Sequence, residues 1–279
     1  MLKQTFCHIP GIGYVSEQRL WTKGVTTWES LAEHARLISR MSDGELLAIL
    51  EQSQAALADD PLFFTDRLKR SDGWRLFPHF RKSSVYLDIE TSGLGHESDI
   101  TTIALYDGRE VRTYVNGRNL EDFLDDIEQY QVIISYNGIC FDIPVIEQYF
   151  RTRLDQAQID LRYVLAQLGC RGGLKGCEKQ MGISRGMLDG IDGSFAVLLW
   201  REYERYGNEA ALETLLAYNV EDTVNLERLM VEAYNRNVDR TPFASELGLS
   251  YPESPRLIYH PDPDIMAGRV FRGSLNNQV

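Results

Sequence analysis

The stretch SSVYLDIETSGLG, residues 83–95, ends a run of strand-forming residues on two carboxylates and then enters a glycine-containing turn. Residues two apart in a strand share a face, so Asp88 and Glu90 lie side by side while Leu87 and Ile89 face the other way. Neighbouring carboxylates repel each other, which raises a pKa unless a cation lies between them. The pair is therefore either solvated at a strand end or part of a metal site, and the pair alone does not decide between the two.

Length and composition are those of a soluble globular protein with one large domain or two smaller ones, at 279 residues and 43% hydrophobic content. The net charge of -12 argues against general coating of nucleic acid or of an anionic membrane, although it permits a local basic groove. The four cysteines show neither zinc-site nor disulfide-framework spacing. No apolar run approaches the ~18 residues that span a bilayer, and no signal-peptide pattern opens the chain. We expect a cytoplasmic protein without a membrane partner.

The hydrophobic pattern changes once along the chain, around the segment FPHFRKSS. Before it, apolar residues recur every three or four positions, which predicts helices. After it come the β-branched runs SVYLDIE, DITTIALY, EVRTYV and QVIISYN, interspersed with helical patterns. We predict a small all-α domain at 1–80 and an α/β domain at 81–235. Its mixed sheet begins with a three-strand meander and is flanked by helices. An irregular tail rich in Pro, Asp and Ser follows at 236–279.

Two further acidic positions stand in patterned surroundings. Asp142, in SYNGICFDIPVIEQYF, lies at a predicted strand-to-helix turn, where the helix dipole favours an acid. Tyr218 and Asp222, in LLAYNVEDTVNLERLM, are four residues apart and share one helix face. Each has an ordinary structural explanation when taken alone: a helix-start acid, and a half-buried tyrosine beside a solvated aspartate. Their order along the chain is more informative than any one of them.

The succession D-x-E, N-x-x-x-F-D and Y-x-x-x-D resembles the motif order of the DEDDy 3′→5′ exonucleases. The residues that match these three motifs are Asp88 and Glu90, then Asn137, Phe141 and Asp142, then Tyr218 and Asp222. The segments QIDLRYVLAQLG and GGLKGCEKQMGI resemble more narrowly the YprB-like branch of the ribonuclease-H-like superfamily, and the resemblance covers roughly residues 83–235. It implies a ribonuclease-H-like fold and a metal-dependent 3′→5′ exonuclease that acts on nucleic acid with a free 3′ end.

The chemistry of phosphodiester hydrolysis is consistent with this residue set. The reaction needs a strong oxygen nucleophile and relief of charge on the leaving oxygen, and two divalent ions roughly 3.5 to 4 Å apart supply both. Mg²⁺ and Mn²⁺ prefer hard oxygen ligands. The resemblance implies that Asp88 bridges both ions, that Glu90 and Asp222 complete one and that Asp142 holds the other. Tyr218 would orient the attacking water, because a phenol with a pKa of about 10 is a poor base.

The N-terminal segment HIPGIGYVSEQRLWTKGVTTWESLAEH resembles a helix-hairpin-helix element, with Gly11 and Gly13 as the hairpin glycines. Such hairpins present backbone N–H groups to a nucleic-acid phosphate, which adds a contact that does not depend on sequence. A purely structural helical pair is the alternative. Nucleic-acid contact by Gly11 and Gly13 is therefore a hypothesis.

Other basic and acidic positions allow two interpretations. Lys175 follows two glycines at a predicted helix start, where it is either a phosphate ligand or a solvated turn lysine. Asp160 is expected to have a structural or N-capping role. The segment between the predicted domains carries a basic cluster that is either a solvated linker or an edge that tracks phosphates. Its members are Arg67, Lys69, Arg70, Arg75, Arg81 and Lys82.

Two alternative functions stay open at this point. A structure-selective endonuclease could share the same fold and chemistry, and fold alone does not exclude it. A non-catalytic nucleic-acid-binding protein is disfavoured, because all four acids and the tyrosine are present. The sequence does not distinguish DNA from RNA, since that choice depends on a few contacts to the 2′-hydroxyl.

Overall fold

The computed structural model describes residues 1–35, 41–93 and 98–268. In the described residues before the sheet, the regular secondary structure is helical, as predicted. Its α-helices are α1 Tyr14–Thr22, α2 Trp28–Glu33, α3 Asp43–Ala56, α4 Leu62–Thr65 and α5 Phe77–Phe80. Short 3-10 helices lie at Leu2–Gln4, Arg70–Arg75 and Arg81–Ser83. Thr27 and Ser42 begin α2 and α3 with reciprocal capping boxes, which fix where these two helices start.

The sheet has five strands in the described residues, in the spatial order β3-β2-β1-β4-β5. The strands are β1 Ser84–Thr91, β2 Ile100–Tyr106, β3 Val111–Val115, β4 Val132–Ser135 and β5 Ala157–Asp160. The first three form an antiparallel meander, and β4 and β5 continue the sheet in parallel with β1. The predicted mixed sheet is confirmed. Strand β5 was not predicted, because its sequence AQID has a single β-branched residue and lacks the run that indicates β4.

Helices flank the sheet, and those after β4 account for most of the described chain from there on. They are α6 Phe123–Ile127, α7 Asp142–Phe150, α8 Leu161–Gln167, α9 Gly173–Gln180, α10 Gly193–Tyr206, α11 Glu209–Val238, α12 Ala244–Leu247 and α13 Pro263–Met266. The longest, α11, packs across β1 and β2. Among the described residues, no helix combines the length and the apolar character needed to cross a membrane.

The two faces of the sheet carry two separate hydrophobic cores. Leu87 and Ile89 of β1 pack on one face, with Phe123 of α6 and Ile146 of α7. Tyr86 packs on the other face, in a core that includes residues of α11 and of the N-terminal helices. Because strand residues alternate between faces, Asp88 and Glu90 share the Tyr86 face and lie on the side of α11.

A buried ionic network within the N-terminal region ties α1 to the 3-10 helix Arg70–Arg75. Arg75 pairs with Glu17 at 2.8 Å and with Asp72 at 3.4 Å, and all three side chains are almost fully buried. The Glu17 carboxylate also accepts the backbone N–H of Phe6, and the Tyr14 hydroxyl donates to Asp72 at 2.6 Å. Removing one partner would leave a charge buried without compensation, so the network specifies how the hairpin segment is held.

Candidate active site

Three carboxylates converge where the end of β1 meets α11. Asp88, Glu90 and Asp222 each offer an oxygen, and these oxygens all lie within 4.8 Å of one another. The alternation of β1 puts the first two on the same face, and the packing of α11 across that face brings in the third. A compact set of carboxylate oxygens suits Mg²⁺ or Mn²⁺, which are hard cations.

The fourth predicted acid, Asp142, lies beside this group but outside it. It is buried at the first position of α7, and its Oδ1 accepts the backbone N–H of Ile89 at 3.3 Å. Ile89 is the residue between Asp88 and Glu90, so the hydrogen bond brings α7 to the same end of β1. The turn before α7 requires Gly138, because a side chain there would collide with Ser135.

Burial and mutual repulsion raise the pKa values of these acids, and a bound cation would counteract both effects. Burial raises the pKa of Asp88 to about 7, opposed chiefly by a hydrogen bond from Asn219. Burial also raises the pKa of Glu90 and of Asp142 well above the usual values, and repulsion by Asp88 adds to both shifts. A bound divalent cation would stabilise the ionised forms. The residues present therefore fit a divalent metal site.

Arg185 brings a positive charge of the chain itself into this cluster. Its guanidinium forms an ion pair with Asp222 and a second one with Glu178, at 3.6 Å. Arg185 is buried and lies in the loop between α9 and α10, just before a 3-10 turn at Gly186–Leu188. Sequence reasoning missed it, because a loop arginine gives no sign of a partner so far along the chain.

Tyr218 is buried on α11 and contacts Lys175. The Lys175 ammonium donates to the Tyr218 hydroxyl at 2.7 Å and also to the backbone carbonyl of Ile191. Burial is the main cause that raises the pKa of Tyr218, so the phenol stays neutral. Burial lowers the pKa of Lys175. The lysine predicted at a glycine-preceded helix start thus lies on α9, with its ammonium directed at the tyrosine.

Two further residues of the site were not predicted. The Asn219 amide donates to the Asp88 carboxylate at 2.8 Å, and its own oxygen accepts the Thr102 hydroxyl at 3.0 Å. Glu178 accepts a hydrogen bond of 2.9 Å from Asn225 while it pairs with Arg185. The sequence could have indicated Asn219, because a buried amide on α11 requires a hydrogen-bonding partner.

An open cavity of about 570 Å³ gives access to the acidic cluster. Its lining consists of Asp88, Tyr136, Asn137, Arg162, Gly172, Gly173, Leu174, Lys175, Tyr218 and Asp222. Asn137 has a left-handed backbone with φ of 67°, and its side-chain oxygen accepts a hydrogen bond from Arg162.

Phe141, in contrast to Asn137, does not line this cavity and packs at the edge of the hydrophobic core between the sheet and α7. Asp160 caps α8, as predicted, by accepting the Arg162 N–H at 2.9 Å.

The two hairpin glycines lie on the N-terminal element and line a second cavity, of about 450 Å³. Gly11 has a left-handed φ of 84°, which favours glycine, while Gly13 is the N-cap residue of α1. Helix α1 begins at Tyr14, directly after the glycines, but only a three-residue 3-10 helix, Leu2–Gln4, and no α-helix precedes them in the described residues. The helix-hairpin-helix assignment therefore stays a prediction.

Three comparisons relate the chain to known proteins. Residues 85–234 match the family model of the RNase H superfamily. No curated protein matches the chain. Among solved structures, the chain is similar to the family B DNA polymerase from the hyperthermophilic archaeon Pyrobaculum calidifontis, with 18% identity and a TM-score of 0.43. That match covers 60% of this chain and 27% of the polymerase, so the chain spans about a quarter of its length. The family model covers more than half of the chain and the sheet is the mixed one predicted, so this chain belongs to the RNase H superfamily.

Proposed function

We propose that this chain is a metal-dependent nuclease that removes nucleotides from the 3′ end of DNA or RNA. The observation that carries the proposal is the convergence of Asp88, Glu90 and Asp222 within 4.8 Å at the end of β1. Membership of the RNase H superfamily supports a nuclease that acts on nucleic acid. The 3′→5′ direction rests on the order of the three sequence motifs.

Asp88, Glu90 and Asp222 would hold Mg²⁺ or Mn²⁺, with Asp142 beside them for a second ion. When bound, two divalent ions supply Lewis acidity for attack on the phosphorus and for departure of the leaving oxygen. Asn219 fixes the Asp88 carboxylate through its 2.8 Å hydrogen bond, so that carboxylate is oriented in advance. Arg185 compensates part of the negative charge of the acids. Its ion pair uses the Asp222 carboxylate, which would also bind the metal.

Tyr218 would position the attacking water through its hydroxyl. Its neutral phenol is a poor base, so it acts by hydrogen bonding and leaves activation of the water to the metal site. The cavity of about 570 Å³ leaves room for a nucleotide beside Asp88 and Tyr218. Arg162, which is exposed on its wall, supplies positive charge for a phosphate, whereas the ammonium of Lys175 is engaged with the Tyr218 hydroxyl.

A digestion time course on matched DNA and RNA single strands, labelled at the 5′ end, tests the proposal. We expect a ladder that shortens from the 3′ end in the presence of Mg²⁺ or Mn²⁺. Asp88→Asn should abolish it, whereas Asp125→Asn, at an exposed acid of α6, should not.

A covalently closed circle, used both as a single strand and as a duplex, separates the alternatives. Cutting of the circle would replace the exonuclease by an endonuclease. If neither linear nor circular substrates, single-stranded or duplex, are cut with either metal, the chain would be a non-catalytic binding protein.

A further inference from the structure

Exposed cations and half-buried tyrosines follow one another from the candidate active site to the N-terminal hairpin. We call this feature the basic stripe and define it by Arg162, Tyr163, Arg70, Lys69 and Tyr14. Its members come from α8, from the segment before β1 and from the start of α1, so only the folded chain brings them together.

The inner end of the stripe opens into the cavity of the acidic cluster. Arg162 lines that cavity together with Asp88 and Tyr218. Tyr163 follows it on α8, and the Arg70 guanidinium donates to the Tyr163 hydroxyl at 2.9 Å. The same guanidinium lies 5.2 Å from the centre of the Tyr163 ring. The contact joins a cation of the N-terminal region to the wall of the site.

The outer end reaches the glycine hairpin. The Lys69 ammonium lies 4.8 Å from the centre of the Tyr14 ring. Tyr14 is the first residue of α1, directly after Gly13. Beyond it, exposed Arg67 lines the hairpin cavity with Gly11 and Gly13. Positive charge therefore continues up to the backbone turn of the hairpin.

The structure divides the basic cluster that the sequence placed between the domains. Arg75 is buried in its ion pair with Glu17, and Arg81 pairs with Glu227 at 2.8 Å. In contrast, no ion pair within residues 1–35, 41–93 and 98–268 involves the cations that belong to or adjoin the stripe. These are Arg67, Lys69, Arg70 and Arg162, and all four are exposed.

We propose that the basic stripe binds the single-stranded part of a nucleic acid whose 3′ end enters the candidate active site. The identity of that end rests on the proposed function, whereas binding along the stripe does not. Cations that follow a backbone supply phosphate contacts, and aromatic rings between them supply stacking surfaces for bases. The chain as a whole carries a net charge of -12, so exposed cations that form no ion pair with the described residues mark the path for a phosphate backbone.

Binding is measured with the full chain carrying Asp88→Asn, so that the strand is held but not cut. The probe is a fluorescent single strand of roughly twelve nucleotides, within the range of known single-strand sites, titrated at several salt concentrations. Lys69→Gln with Arg70→Gln should raise Kd and lower the slope of log K against log salt by about 1.4, two phosphate contacts at ~0.7 each. Arg109→Gln with Arg205→Gln removes the same charge from exposed positions outside the stripe and should leave that slope unchanged.

Two comparisons test whether the strand follows the basic stripe and whether the stripe prefers a single strand to a duplex. A dinucleotide fills only the active-site end, so the Lys69 and Arg70 changes should not alter its affinity. Tyr163→Leu keeps an apolar side chain but removes the ring, and should weaken single-strand binding by roughly five-fold or more, the scale of one stacked base. Duplex binding should not change with Tyr163→Leu.

Each outcome bears on one proposal. Equal salt slopes for the two double variants, with unchanged thermal unfolding, would overturn the stripe. Equal losses for duplex and single strand with Tyr163→Leu would overturn the single-strand assignment. Stripe-dependent binding without hydrolysis by the unmutated chain would contradict only the proposed nuclease, and hydrolysis with stripe-independent binding would contradict only the stripe.

Discussion

The Lys175 ammonium donates a hydrogen bond of 2.7 Å to the Tyr218 hydroxyl, across the gap between α9 and α11. An ammonium can only donate, so the tyrosine oxygen accepts and its own proton remains available for another acceptor. Burial keeps the phenol neutral, and the charges of Glu90 and Asp88 raise its pKa further. The contact therefore orients the one polar group of Tyr218 without ionising it.

Tyr218→Phe should lower kcat by roughly ten- to a thousand-fold with little change in KM, the scale of one lost catalytic contact. Phenylalanine retains the ring and its packing on α11, so the carboxylates and their metal affinity should be unaffected. Steady-state kinetics at saturating metal, with metal binding followed by calorimetry, measures both quantities. Full kcat in the variant would remove the tyrosine from the mechanism.

Lys175→Met should lower kcat through Tyr218, because it removes the donor that orients the hydroxyl. In a double-mutant cycle, the lysine substitution should then have little further effect on kcat once Tyr218→Phe is present. Lys179→Met, at an exposed lysine of the same helix, is the matched control and should leave kcat unchanged. Independent, additive losses from the two substitutions would instead indicate that Lys175 contacts the substrate directly.

Asp88→Asn should raise the stability of the metal-free protein at neutral pH and remove most of the stabilisation by Mg²⁺. The pKa of Asp88 is about 7 in the folded state and 3.8 for an unperturbed aspartate, which represents the unfolded chain. Between these two pH values the folded state keeps a proton that the unfolded state has lost. The contribution of Asp88 to stability is therefore full below about pH 4 and is lost as the pH rises through about 7. A divalent ion bound to the folded state reverses that loss.

Thermal unfolding at about pH 5 and about pH 8, with a chelator or with Mg²⁺, measures this prediction. The substitution should raise the metal-free melting temperature mainly at the higher pH, by ~2 to 4 °C for each kcal/mol of relieved repulsion. Asp125→Asn serves as the control on the surface. An unchanged Mg²⁺ shift in Asp88→Asn would show that the ion binds elsewhere.

Arg75→Met should destabilise the fold by about 3 to 5 kcal/mol, because Glu17 and Asp72 would stay buried without their partner. Arg236→Met breaks an exposed pair with Glu232 on α11 and should cost about 1 kcal/mol or less. Urea unfolding of the two variants measures the difference. Similar costs for both would mean that the buried network contributes no more than a surface pair.

The sequence by itself determined the elements and the order of the motifs. The alternation in β1 predicts that Asp88 and Glu90 share a face, and the four-residue spacing of Tyr218 and Asp222 predicts a common helix face. Both are local periodicities, fixed by backbone geometry within one element. They predicted the mixed sheet with its preceding helices, but not the four-residue strand β5.

Only the tertiary structure decided what surrounds these residues. Arg185 meets Asp222, and Asn219 meets Asp88, because separate elements pack against each other. The same packing buries Arg75 and leaves Arg70 exposed beside Tyr163, although both lie in one basic segment of the sequence. Burial and pairing depend on contacts between residues distant in the chain, and no local period encodes such contacts.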